Sequence, residues 1–140
     1  MRKRYDTPLL AAMRPDHSLA NSPAIPLDAL AKEPLTMLDR SFATRVAFDR
    51  LLAKAGVRAE VAFDVNHIEI AKRHVLTAGG VTILPEYAVS VEVADGTMVA
   101  RPLADLHAVL DTVLFTRKGA SHSKATQTFL DALLDAAKDF

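Results

Sequence analysis

Apolar residues fall along the chain in two alternating patterns, short continuous runs and longer helical stripes, and their order predicts the architecture. Pro8 to Met13 (PLLAAM) and Leu35 to Leu38 (LTML) are apolar runs of strand length. Between them, Arg14 to Pro26 is rich in Pro, Ser, Asn and Asp and reads as a loop, and Pro26 to Leu30 can form one helical turn behind its proline. After Asp39-Arg40-Ser41, a stripe of Phe42, Ala43, Val46, Ala47, Leu51, Leu52 and Ala55 predicts an amphipathic helix stopped by Gly56. Val61 to Val65 predicts a strand and Asn66 opens a helix. Gly79-Gly80 is a tight turn into a second strand ending at Leu84-Pro85. A strand, a helix and a strand joined by short turns make a parallel βαβ unit, because the crossover helix returns the chain in the same direction.

In that unit Asn66 and Glu69 have capping-box spacing, so Asn66 is expected to cap the helix. Ile68, Ala71, Val75 and Ala78 share one face, with Lys72 and Arg73 off it, and Glu69 and Arg73 fit a surface ion pair at i, i+4. Further on, Val89, Val91 and Val93 alternate before Asp95-Gly96, which by pattern alone is a hairpin with a type I′ turn. His107 to Thr116 reads as a long strand. Ser123 to Lys138 reads as a last helix with Ala125, Phe129, Leu130, Leu133, Leu134 and Ala137 on its apolar face. Strands alternate with helices, so the class is α/β, a mixed and mostly parallel sheet flanked by helices.

The segment from Val75 to Val89, VLTAGGVTILPEYAV, resembles a signature found late in the effector-binding domain of LysR-type transcriptional regulators. Pro15 to Ala20, Leu30 to Leu35 and Asp95 to Val99 are similar to three further motifs of that family, in the family's order, so the resemblance runs from about Thr7 to the C-terminus. There are departures: Ala78 stands at the family's first glycine, Gly79 where a leucine is common, and Ser18 replaces a proline. The resemblance implies a lobe like that of a type II periplasmic binding protein. It maps residues 8–13 to a crossing strand, 15–105 to the second lobe and 107–140 to a return into the first lobe. It also implies a short helix after Pro85 in place of the hairpin, and one strand around Met98 to Ala100. On this reading the chain is a C-terminal piece of a regulator whose DNA contacts belong to a winged-helix domain outside these residues. A small, anionic effector and a homo-oligomer are the implied partners.

Composition narrows the function. Half of the 140 residues are hydrophobic, as expected of a globular domain, and 17 Lys plus Arg balance 17 Asp plus Glu, so no net field favours nucleic acid or an anionic membrane. With no cysteine, disulfides, thiolate metal sites and cysteine nucleophiles are excluded. No apolar run approaches the ~18 residues of a membrane span, and the basic start MRKRY precedes too short an apolar stretch for a signal peptide, so a cytoplasmic setting is expected.

Two turns carry the candidate chemistry. Asn66-His67 follows a strand and opens a helix, and the resemblance puts effector contacts at that helix start; on residues alone a plain helix cap explains it as well. Asp39-Arg40-Ser41 also follows a strand and precedes a helix. Two helix N-termini with Arg40 and Arg45 nearby would suit a carboxylate, sulfate or phosphate, although Asp39 would repel an anion unless paired, and Arg45 falls on the polar face. Both turns are expected side by side at the carboxyl edge of one parallel sheet. His67 and His74 are two helical turns apart, roughly 10 Å, too far to share a metal ion, and no cofactor is expected. Gly79-Gly80 lacks the spacing of a phosphate loop, and no nucleophile motif is present. The reading is therefore an effector-sensing module, with a solute-binding protein or small enzyme on the same lobe as the alternative.

Overall fold

The computed structural model describes residues 2–104 and 106–139, and these fall into two units: Pro8–Leu110, and the residues before Pro8 together with those from Asp111 onward. The larger unit contains most of β1 (Arg2–Met13), then α1 (Leu27–Leu30), β2 (Leu35–Leu38), α2 (Ala43–Ala55), β3 (Val61–Val65), α3 (Ile68–Ala78), β4 (Val81–Pro85), α4 (Glu86–Asp95) and β5 (Val99–Pro102). Its strands are ordered β3-β2-β4-β1-β5. β2 pairs in parallel with β3 and with β4, while β1 runs antiparallel to both β4 and β5. The βαβ unit β3-α3-β4 therefore steps over β2, which lies between its two strands.

Alternation along β1 separates two cores, because successive side chains point to opposite faces of a sheet. Leu9, Ala11 and Met13 join Phe48 and Leu52 of α2, Leu30 of α1, and Leu35, Met37, Val81 and Ile83. Ala12 joins Leu38, Val75 of α3, Leu84, Val89 of α4 and Met98. Gly80 sets the approach of β4 to β2. The amide of Val81 donates to the Pro34 carbonyl at 3.0 Å, and a β-carbon on Gly80 would lie 2.4 Å from that same oxygen.

Several expectations need correction. The first strand reaches back to Arg2 rather than starting at Pro8. In α2 the buried residues are Thr44, Arg45, Phe48 and Leu52, whereas Ala43, Val46 and Ala55 face outward. A stripe phased from Phe42 misplaces the helical face, because Phe42 sits in extended backbone at the N-cap and is not part of the helical repeat. In α3 it is Lys72 that is buried and Ala78 that is exposed. The alternating valines form α4, not a hairpin, as the family resemblance implies. Pro85 occupies the N-cap, Gly96 ends the helix in a left-handed conformation, and the Asp95 side chain accepts from the Thr97 amide at 3.0 Å.

The smaller unit consists of the start of β1, most of β6 (Val109–Phe115), α5 (Lys124–Ala136) and a single 3-10 turn, Ala137–Asp139. β6 pairs with β1, and Arg4 bonds Asp111 across that pair at 2.9 Å. Ser123 caps α5 by accepting from the Thr126 amide. Of the stripe expected on α5 only Leu130 is buried; Phe129 and Leu133 are exposed.

Candidate functional site

The carboxyl ends of β2 and β3 place the two candidate turns side by side. Leu38 is in register with Val65, and just beyond them the Asp39 amide donates to the Val65 carbonyl at 2.8 Å. Asp39-Arg40-Ser41 and Asn66-His67 therefore leave the sheet together. The third connection at this edge is Pro85 into α4, since β4 is parallel to β2. Three helices, α2, α3 and α4, thus begin along one edge of one sheet, which is where open α/β sheets bind ligands.

Asp39 closes its own turn. Its carboxylate accepts from the Ser41 amide at 2.9 Å and from the Ser41 hydroxyl at 2.5 Å. The hydroxyl, then the amide, hold the Asp39 carboxyl below the usual carboxylate range. Asp39 therefore stays anionic, held by Ser41, and among the described residues it forms no ion pair with Arg40. The turn precedes the helix by one residue, because Phe42 takes the N-cap position of α2. Arg40 is exposed and makes no ion pair among the described residues. It lines an open groove of about 790 Å³ between α2 and β3, shared with Arg45 and Asp64.

Arg45, expected on the polar face of its helix, is only 5% exposed. Its guanidinium donates to the Leu38 carbonyl at 3.2 Å, to Asp64 of β3 at 2.5 Å and to Asp49 at 3.1 Å. Burial works against its charge, but the bonds to Asp64 and Asp49 outweigh it, and the pKa is raised. Arg45 thus fastens the end of β2 to β3 directly beneath the two turns. Its i, i+4 spacing from Asp49 was the one sign of this in the sequence.

At the other turn the cap is His67, not Asn66. The Nδ1 of His67 accepts from the Glu69 amide at 3.1 Å, and the backbone of His67 is extended while Ile68 begins the helix. Asn66 is exposed one residue earlier. His74 packs at a tilt against Phe63, with ring centroids 4.3 Å apart, and no group of three metal-ligating side chains occurs among the described residues.

Behind His67, Lys72 links α3 to α4. Its ammonium bonds Glu69 at 2.8 Å, Glu92 at 2.5 Å and the Ala88 carbonyl at 3.0 Å. Glu69 therefore pairs with Lys72 at i, i+3 in place of the expected Arg73. The bond from Lys72 holds the Glu92 carboxyl below its ordinary 4.5. A carboxyl depressed in the folded state stabilises the fold above its unfolded pKa, and that stability is lost as pH falls through the folded value. Chemical denaturation should therefore find Glu92→Gln less stable than the parent at neutral pH. The gap should close as the pH is taken well below 4.5.

The LysR substrate binding domain family model matches residues 1–138. The transcriptional activator CmpR of Synechocystis is 25% identical over 133 residues, 95% of this chain and 44% of the relative, so the chain spans less than half the length of that relative. The regulatory domain of Synechocystis CcmR, solved in complex with 2-PG, superposes with a TM-score of 0.84 at 25% identity, covering 99% of this chain and 68% of the other. The effector binding domain of QuiR, solved with shikimate, has the same fold with a TM-score of 0.77 at 18% identity, covering 99% and 66%.

Proposed function

Because the chain belongs to the LysR substrate-binding domain family and is homologous to the effector-sensing domains of LysR regulators, we propose that it senses a small molecule at the carboxyl edge of β2 and β3. The observation that carries this reading is the paired exit of the two turns, fixed by the Leu38–Val65 register and the bond from the Asp39 amide to the Val65 carbonyl. Arg40, Ser41, Asn66 and His67 would touch the effector, with Asp39 shaping the turn. A carboxylate or phosphate on the effector would meet helix N-termini and Arg40, since the charges of Arg45 and Lys72 are already engaged by acids.

In this proposal the larger unit is the second lobe, β1 contributes a crossing strand, and the smaller unit belongs to the first lobe. Closure of two lobes on the effector would shift the equilibrium of a homo-oligomer, and a winged-helix domain of a longer regulator would hold DNA. The edge favours binding over chemistry. Asp39, Asp64, Glu69 and Glu92 each have a structural partner, which leaves them poorly placed as an acid–base pair. Among the described residues no helix is long and apolar enough to cross a membrane.

Isothermal calorimetry with 2-PG, shikimate and inorganic phosphate tests the site. A probe that binds the parent chain should lose about three- to tenfold in affinity on Ser41→Ala or on His67→Ala, the effect of one hydrogen bond. His67→Asn keeps a capping side chain and separates lost contact from lost helix. Unchanged affinity in all three variants would contradict the assignment.

A further inference from the structure

We infer that the groove between α3 and α4 is a docking site for a cationic, amphipathic helix of a partner protein. The groove holds about 490 Å³ and lies wholly within the larger unit. On α4 its wall is built from positions 87, 88, 91 and 92, the i, i+1, i+4, i+5 ridge that one face of a helix presents. Val89 is the only buried residue of α4, so this helix leaves Tyr87 44% and Val91 70% exposed, a pair at i, i+4. Ile68 of α3 faces them across the groove, and His67 of the proposed effector turn lines its end. No strand edge borders the groove, so an extended peptide would find no backbone to pair with, whereas a helix offers apolar anchors at matching spacing.

Charge selects the occupant. Glu69 and Glu92 both line the groove, and Glu69 keeps 69% of its side chain exposed. Lys72 lies between them with 8% of its side chain exposed, its ammonium held by both carboxylates and the Ala88 carbonyl, so the three groups together leave one net negative charge at the groove. Exposed Glu86 and Asp95 add further negative charge on α4. Apolar anchors with an acidic border call for a helix carrying Lys or Arg beside its apolar stripe. A second copy of this chain is a poor match. The exposed apolar residues of α5, Phe129 and Leu133, are bordered by Asp131 and Asp135, which would meet the acidic rim. Anionic lipid headgroups are disfavoured for the same reason.

The test uses the full chain, a synthetic amphipathic Leu/Lys helix and its Leu/Glu counterpart, read by fluorescence anisotropy and hydrogen exchange. The Leu/Lys peptide should bind at least ~10-fold more tightly than the Leu/Glu peptide and protect amides of α3 and α4. Val91→Lys, at a position too exposed to unfold the chain, should weaken it by at least ~10-fold. Ser41→Ala should leave it unchanged, so failure here is distinct from failure of the effector site. Absent binding, equal binding of the two peptides, protection elsewhere, or indifference to Val91→Lys would overturn the proposal. So would self-association, or binding to phosphatidylserine vesicles, that Val91→Lys abolishes.

Discussion

Gly80→Ala is expected to destabilise the chain by about 3 kcal/mol or more, from two causes that add. Gly80 has φ +80°, where an L side chain costs ~1–2 kcal/mol. An added β-carbon would also lie 2.4 Å from the Pro34 carbonyl oxygen, and backbone cannot swing aside as a side chain could. That oxygen accepts from Val81, beside the Leu35–Val81 pair that joins β2 to β4. Relief of the clash must therefore pull the two strands apart. Gly56→Ala isolates the first cause, since its φ is +67° and nothing lies within 4 Å of an added β-carbon. Urea denaturation of both variants gives the comparison, and equal losses would show that the contact with Pro34 is not close.

Phe48→Ala should cost ~3–5 kcal/mol, the usual range for emptying a buried aromatic site. Phe48 is fully buried in the core that joins α2 to β1, β2 and β4. Because Phe42 at the N-cap of α2 follows directly on Asp39-Arg40-Ser41, loosening the helix also frees one of the two candidate turns. Val46→Ala, two residues away and 38% exposed, should change stability by less than ~0.5 kcal/mol. Phasing the helix from Phe42 would give Val46 a place in the stripe and leave Phe48 outside it, so equal effects would favour that phase.

These two positions also show where the sequence is informative. The strands at Leu35–Leu38 and Val61–Val65 are legible because apolar runs bounded by turn residues are read without regard to phase. The parallel order then puts the turns after them on the same edge. Helical phase is harder to read when a polar residue is buried. The chemistry of Arg45 and Lys72 points them outward, yet each is drawn inward by two carboxylates and a backbone carbonyl contributed largely by other elements. The alternating valines of α4 fit a strand equally well. What separates the readings is tertiary, namely Val89 packing with Val75 and Met98, together with a proline at the helix start. The cap at α3 fell to His67 because an imidazole nitrogen accepts as an asparagine oxygen does, one residue along.

The central claim is that two turns separated in sequence form one wall of a small-molecule site. Amide chemical-shift mapping of the chain, titrated with a small-molecule probe that calorimetry shows it to bind, tests it directly. The predicted result is a joint shift of amides in the Asp39–Phe42 and Asn66–Glu69 turns, both following one dissociation constant. Shifts confined to a single turn, or centred on the α2–β3 groove around Arg58 and Glu60, would contradict it.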